Sequence, residues 1–308
     1  MARGETIWIN GNLKPEKECQ VSLFSHGLHY GTGGFEGIRV YADSENKNCF
    51  VFHLKKHLER FLMTAKIMGL QLPYSVDELS EACKKVVKEN HFKACYLRPL
   101  FFIGEGPLGI NIGETPPIIV AIMTWEWGKY LGEEGAKNGI RLKISSYARP
   151  QVNSIMTKGK ITGQYVTGVL AKREAVSLGF DEALFLDPEG FIAEGTGENI
   201  FIVKDQKVKT PPLTSVLEGI TRNSIIQVLK NLDIEITEQR FSRDELYGAD
   251  EVFLTGTAAE ITPVREIDQR AIGKGKAGLL TQKLQALFQD IVQGKGPQYT
   301  QAWLEPIE

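Results

Sequence analysis

The stretch "MTKGKITGQY", Met156 to Tyr165, places two lysines between small residues, with a tyrosine and a strongly helical segment following. A lysine amine does chemistry when it is neutral, a state favoured by a dry or positively charged site, and a neutral amine can form a Schiff base. On its own "TKGK" reads as a solvated loop, so chemistry here needs further groups. Metals do not supply them. The five histidines show no H-E-x-x-H or comparable spacing. Cys19, Cys49, Cys83 and Cys95 are far apart with no C-x-x-C pair, which argues for free thiols rather than a zinc site or a disulfide framework. Two G-x-G-x-x-G matches occur, at Gly104, Gly106 and Gly109 and at Gly273, Gly275 and Gly278. The first runs through Pro107 into a proline-rich loop; the second follows the polar "REIDQRA" with too little chain left for a βαβ unit, so neither reads as a dinucleotide site.

The elements that must position such groups are those of an ordinary globular chain. It has 308 residues, 42% hydrophobic and 24% charged, with a net charge of −2, which excludes a disordered or fibrous class and makes nucleic acid a poor partner. The N-terminus lacks a charged-then-apolar signal pattern, and the longest apolar run, "IIVAIM", is too short to span a bilayer, so a cytoplasmic protein without a membrane partner is expected. "TIWINGNLKP" predicts a hairpin turning at Asn10 and Gly11. Helices are predicted over "HLKKHLERFLMTAKIMG", capped at Gly69, and over "SVDELSEACKKVVKENHF", opened by Ser75. "ACYLRPLFFIG" and "PPIIVAIMTW" follow as strands. The polar, glycine-rich "WGKYLGEEGAKNG" reads as a linker, giving a small domain over residues 1–126, a linker over 127–139 and a large domain over 140–308. Beyond it come a strand in "IRLKISSYA", a helix burying Val166, Val169, Leu170 and Val176, short strands around an Asp187–Gly190 turn, a helix in "ITRNSIIQVLKNL", strands in "IEITEQRF" and "DEVFLTG", and a closing helix. Mixed strands and helices of this kind predict an α+β architecture.

Six ordered stretches change the reading of the lysines. Lys160 is followed five residues later by Tyr165, and Lys158 lacks that spacing; "EGTGENIF" runs from Glu194 to Phe201; "TPPLTSVLEGITR" and "LTGTAAEITPV" come next; "HYGTGGFEGIRVY" and "YLRP" precede them. Over nearly its whole length the chain resembles the branched-chain aminotransferases, which are fold-type IV enzymes dependent on pyridoxal phosphate. The resemblance implies a smaller N-terminal α/β sandwich domain and a larger C-terminal domain with a barrel-like, mostly β core and flanking helices. It implies transamination of leucine, isoleucine and valine with 2-oxoglutarate in two ping-pong half-reactions, the cofactor alternating with pyridoxamine phosphate. Small amino acids and 2-oxo acids would be its partners, in a homodimer or larger homo-oligomer. Relatives often carry two small residues after the lysine and an asparagine before the tyrosine, where this chain has Ile161, Thr162 and Gln164.

The same resemblance nominates residues. Lys160 would carry the cofactor as a Schiff base and act as the base. Glu194 would face the ring nitrogen, favouring its protonated form and so the electron sink. Tyr165 would bond the ring's phenolic oxygen, and Leu217 would pack on the ring. Arg60, the amides of Ile220 and Thr221 at a helix start, and Thr257 would hold the phosphate, with Gly219 and Gly256 in the adjoining turns. Tyr96 and the turn at Thr257, Ala258 and Ala259 would receive the substrate's α-carboxylate, and Arg98 the distal carboxylate of glutamate. Tyr30, Phe35, Ile110, Trp127 and Tyr130 would line an apolar pocket. Without the resemblance, Arg60 reads as part of a solvated helix face, Glu194 as a turn carboxylate and the aromatics as core. Same-fold rivals are D-amino-acid aminotransferase and aminodeoxychorismate lyase. A non-catalytic cofactor carrier and a cofactor-independent Schiff-base aldolase are rivals of other classes, and neither needs the full set of residues.

Overall fold

The computed structural model describes residues 2–128 and 130–307; Met1, Lys129 and Glu308, one of them inside the expected linker, lie outside the described residues. The chain forms two compact units. The first contains the residues up to Trp127, Gly159–Gln164 and the chain from Asp290 onward; the second contains Gly128–Lys158 and Tyr165–Gln289. The units therefore interleave along the chain, unlike the contiguous division expected. Sequence polarity marks a linker but is blind to strand pairing: Leu304–Pro306 joins the first unit because it pairs antiparallel with Cys49–Phe52. The expected linker itself contains a helix, Gly132–Asn138, with charged residues along it and no buried side chain, which is why no apolar period announced it.

In the first unit an eight-stranded antiparallel sheet runs in the order Leu304–Pro306, Cys49–Phe52, Ile38–Ala42, Cys95–Ile103, Ile118–Trp125, Thr6–Ile9, Asn12–Pro15, and Gly33–Phe35 also pairs with Cys95–Ile103. The hairpin turns where Asn10 and Gly11 take positive φ, as its right-handed strand twist demands. Helices Leu54–Ile67 and Val76–Glu89 cover the sheet; Leu58, Phe61, Ala65, Leu79, Ala82 and Val86 share one core with Ile38, Val40, Leu97, Val120 and Ile122. Ser75 starts the second helix with a complete capping box: its Oγ accepts from Glu78 N at 3.2 Å, and its own N–H donates to Glu78 Oε2 at 2.7 Å.

In the second unit six strands close on themselves. Ile192–Gly195, Glu182–Leu186, Ile140–Ala148, Glu260–Ile267, Glu251–Gly256 and Asn199–Lys204 pair in that order, and the last returns to the first. Closure leaves these six with neighbours on both sides. Ile144, Leu184, Ile200, Val252, Leu254 and Val264 belong to one core cluster. Helix Tyr165–Ser177 packs on the barrel through Gly168, Ala171 and Ala175. The expected face is thus reversed: Val166 is 60% and Val169 57% exposed, with Leu170 and Val176 also exposed. Small residues win the buried side because the backbone lies close to the next turn; a Cβ on Gly168 would touch the Thr196 carbonyl at 3.4 Å.

The second glycine motif has a structural explanation. Glu251 Oε1 and Oε2 accept from Leu280 N at 3.0 Å and Thr281 N at 2.8 Å, capping helix Leu279–Val292. A Cβ on Gly278 would lie 1.9 Å from the Glu251 carboxyl carbon, so this helix start takes the protein's own carboxylate in place of a phosphate. Of the cysteines, Cys49, Cys83 and Cys95 are buried and free, while Cys19 is half-buried. Replacing Ser75 by alanine should lower unfolding free energy by about 1 kcal/mol, read from denaturant unfolding.

Candidate active site

Gly159–Gln164 is built into the first unit by its backbone. Lys160 N donates to Thr64 Oγ1 at 3.0 Å, and the Lys160 carbonyl accepts from Phe35 N at 3.0 Å. Ile161 bridges Gly34, Gly163 N donates to the Gly31 carbonyl at 3.2 Å, and Thr162 Oγ1 donates to the same carbonyl at 2.7 Å. Gly31 has φ +64°, and a Cβ there would meet Gly163 Cα at 2.7 Å, so only glycine permits this approach. Lys160 Nζ lies 4.9 Å from the centre of the Phe35 ring. Lys158 is different. It is solvent-exposed, and its Nζ donates to the Leu213 carbonyl.

Arg60 is drawn onto Glu36. Its Nε and Nη2 donate to the two carboxylate oxygens at 2.6 and 2.9 Å, and His57 Nδ1 lies 2.7 Å from Oε2. Burial would raise the Glu36 carboxyl, but Arg60 and His57 outweigh it and hold the group well below the usual carboxylate range. Burial also pushes the His57 imidazole down despite Glu36, so the ring is neutral and its Nδ1–H is the donor. Nearby, Arg98 lies over Phe35 at 4.6 Å, Trp125 at 5.3 Å and Tyr96 at 5.6 Å, and its Nε is buried with no hydrogen-bond partner. The Trp127 ring sits 4.4 Å from the Tyr96 ring. Phe35, Tyr96, Arg98, Trp127 and Lys160 therefore gather in one region, with Trp125 an addition the sequence did not single out. Tyr30 and Ile110 do not join it: Tyr30 is half-exposed with its hydroxyl donating to the Leu108 carbonyl at 2.6 Å, and Ile110 is 82% exposed.

In the second unit Glu194 is the buried centre. It pairs with Arg149 Nη2 at 3.0 Å, accepts from Asn199 Nδ2 at 3.2 Å and accepts from the Leu217 amide at 3.3 and 3.2 Å on its two oxygens. Asn199 Nδ2 also donates to the Leu217 carbonyl at 3.0 Å, fixing the loop that carries Leu217 and Gly219. A Cβ on Gly219 would fall 2.0 Å from Asn199 Oδ1. Gly219 is the N-cap of the twelve-residue helix Ile220–Asn231 and supplies no side-chain cap to its first amides, those of Ile220 and Thr221. An uncapped helix start of this length can receive an anion through its dipole and its N–H groups. Gly256, Thr257, Ala258 and Ala259 form the tight turn between Glu251–Gly256 and Glu260–Ile267, and Gly256 is paired across it with Glu260. Tyr165 opens its helix, and Tyr130 lies with its ring 5.7 Å from Lys172 Nζ. Arg149 and Glu36 escaped sequence reasoning because each acts through a partner far away in the chain.

Behind Glu194 lies a second carboxylate pair. Glu182 binds Lys172 Nζ at 2.7 Å and accepts from Thr196 Oγ1 at 2.9 Å, while Glu198, fully buried, accepts from Gly197 N at 3.1 Å. Burial, reinforced by Glu182, pushes the Glu198 carboxyl up to about 8. Among the described residues no group of three or more His, Cys, Asp or Glu is placed to hold a metal, and no helix is long and apolar enough to cross a membrane.

The chain as a whole has known relatives. Residues 33–267 match the family described as amino-transferase class IV, and the chain belongs to that family. The "Branched-chain-amino-acid aminotransferase" of Pseudomonas aeruginosa is 44% identical over 293 residues, covering 95% of this chain and 94% of the relative. A crystal structure of the T.th. branched-chain amino acid aminotransferase with pyridoxamine 5'-phosphate superposes with a TM-score of 0.96 at 46% identity, covering 100% of both chains. The same enzyme complexed with N-(5'-phosphopyridoxyl)-L-glutamate gives 0.93 at 44% identity, covering 99% of both. Within the class, the chain is a member of the branched-chain aminotransferases.

Because the folded-state pKa of Glu198 lies above its unfolded value, the folded protein keeps a proton that the unfolded chain releases. Its contribution to stability is therefore greatest below the unfolded pKa and is lost as pH rises toward about 8. Glu198→Gln should gain stability relative to the parent between pH 5 and pH 8.5, by on the order of a few kcal/mol. Unfolding midpoints at the two pH values test this; an unchanged difference would contradict it.

Proposed function

We infer that this chain transaminates branched-chain L-amino acids with 2-oxoglutarate, using pyridoxal phosphate. The observation that carries the reading is the second unit's pairing of a buried, triply held carboxylate, Glu194, with an uncapped helix start at Gly219, joined through Leu217 and Asn199. The residues fit the cofactor on their own chemistry. A pyridine nitrogen needs a fixed anion, and a phosphate needs amides without a competing cap. The buried, unpartnered Thr255 Oγ1 beside the Gly256 turn adds a polar atom in search of a partner.

In this reading Glu194 keeps the ring nitrogen protonated, and Arg149 keeps Glu194 ionised and in place. Tyr165 orients the phenolic oxygen, Leu217 packs on the ring, and Arg60, Ile220, Thr221 and Thr257 hold the phosphate, with Gly219 and Gly256 allowing its close approach. When bound, the cofactor supplies the carbonyl for Lys160 and the electron sink for the bond that breaks. Lys160 Nζ would be the base that takes the proton from the substrate's Cα. Tyr96 and the Thr257–Ala259 turn orient the α-carboxylate, and Arg98 receives the distal carboxylate of glutamate. Phe35 and Trp127 with Tyr130 face the branched side chain. Lys160→Ala should lower turnover by at least about 10²- to 10⁴-fold, and the visible band of the purified enzyme should be lost on adding L-leucine without acceptor. A band that answers only to D-amino acids would overturn the substrate assignment.

We also propose a homodimer or larger assembly acting on soluble cytoplasmic metabolites. Leu23, Phe24, Leu28, Tyr30, Leu108 and Ile110 are exposed together, their segments joined by the Ser25–Glu105 bridge and the 3.0 Å contact of His26 Nε2 with the Gly109 carbonyl. An exposed apolar patch of this size calls for a cover, and a second copy would also draw Tyr30 and Ile110 into use. Phe24→Lys with Ile110→Asp should shift the mass measured by light scattering to that of the monomer; an unchanged mass would place the interface elsewhere.

A further inference from the structure

We propose that Glu36, backed by His57, is the positioning group for the Arg60 guanidinium and sets how tightly the protein holds its phosphate-bearing cofactor. This rests on the reading of Arg60 as a phosphate ligand. Arginine is among the side chains with the most rotamer freedom to lose. Here that freedom is removed by a two-point pair: Nε to Oε1 at 2.6 Å and Nη2 to Oε2 at 2.9 Å. A planar fork gripped along that edge has its orientation fixed and turns Nη1 away from the carboxylate.

Glu36 is itself immobile. It is fully buried, and its backbone N–H donates to the Pro99 carbonyl at 2.8 Å. Its carboxylate also receives His57 Nδ1 at 2.7 Å and lies 3.3 Å from Gly37 N. His57 is fully buried, and among the described residues its Nε2 has no hydrogen-bond partner, while its Nδ1 meets Glu36. His57, Arg60 and Thr64 stand on one face of helix Leu54–Ile67, at positions i, i+3 and i+7. Thr64 Oγ1 donates to the Arg60 carbonyl at 2.9 Å and accepts from Lys160 N at 3.0 Å. One helix face thus holds both the guanidinium that would take the phosphate and the backbone of the lysine that would take the carbonyl.

A rival role for Glu36 is plain charge compensation, and the two roles differ in sign. A screening carboxylate weakens an arginine's grip on an anion, so removing it would tighten binding. A positioning carboxylate strengthens that grip. In Glu36→Gln the amide nitrogen must face an N–H of Arg60 or His57, donor against donor, and the fork is lost.

The test compares dissociation constants of pyridoxal 5'-phosphate and of pyridoxal, which lacks the phosphate, by absorbance titration of the stripped full-length enzyme. Variants are Glu36→Gln, Arg60→Met and the double variant, each checked for folding by circular dichroism. Glu36→Gln should weaken pyridoxal phosphate on the order of ten- to a hundred-fold, leave pyridoxal unchanged, and add nothing in the Arg60→Met background. Unchanged or tighter pyridoxal phosphate binding, equal loss for both ligands, or full additivity would overturn the proposal. Should Glu36→Gln not fold, His57→Phe, which removes one donor and keeps the volume, should weaken pyridoxal phosphate alone; no change there would overturn it. Failure of the parent enzyme to take up pyridoxal phosphate would overturn the cofactor reading as well.

Discussion

The backbone seam at Lys160 is the constraint on which the arrangement depends. A catalytic amine on a mobile loop would spend its time elsewhere; here the peptide groups on both sides of Lys160 are spoken for, by Thr64 and by Phe35. Next to it, Gly31 and Gly163 approach so closely that a side chain on Gly31 would collide. The six residues Gly159–Gln164 pack as part of the first unit although the chain before and after them belongs to the second. The position of the Lys160 backbone is therefore a property of the first unit's sheet and helix.

A second regularity is that ionised groups out of water have partners that also orient them. Glu36 holds Arg60, Glu194 is held by Arg149, Lys172 pairs with Glu182, and the buried Arg222 Nη2 meets Glu238 at 2.7 Å and the Pro211 carbonyl at 3.0 Å. Such pairs are weak sources of net stability, because desolvation consumes much of the attraction. Their value lies in direction. Each fixes the plane of a guanidinium or carboxylate on a rigid element, as binding an anion or a ring nitrogen requires. Glu198, relieved by keeping its proton, and Arg98, set against aromatic rings, depart from this regularity.

What could be read from the sequence follows a physical line. The Asn10–Gly11 hairpin, the Ser75 cap and the Gly69 stop were legible because each acts through its immediate neighbours, and Gly69 has φ +71°. The helix after Lys160 was legible as a helix but not in its orientation: periodicity favoured the valines, and the close packing that buries Gly168, Ala171 and Ala175 leaves no signature in hydrophobicity. The interleaving of the units was hidden for the same reason, since the pairing of Leu304–Pro306 with Cys49–Phe52 spans some 250 residues. At the candidate site, "EGTGENIF" nominated Glu194, with Asn199 alongside, through the family resemblance, and the two residues lie opposite each other on adjacent strands. Arg149, Trp125 and Thr64 lie outside any such local pattern.

The surroundings of Arg98 bear on the proposal that one site accepts both a branched aliphatic chain and a carboxylate. The guanidinium lies over the rings of Phe35, Trp125 and Tyr96, which surround it with aromatic surface. Cation–π contact is worth most where water is scarce, so the charge is stabilised without a carboxylate partner that the substrate would have to displace. An aliphatic chain then meets aromatic walls, and a distal carboxylate meets an arginine whose Nε is buried and without a partner. A fixed Arg–Glu pair at the same place would reject the first by its polarity and the second by its negative charge. In the proposed pair of half-reactions, which take an apolar and an acidic substrate in turn, a cation held by aromatic rings would answer both requirements.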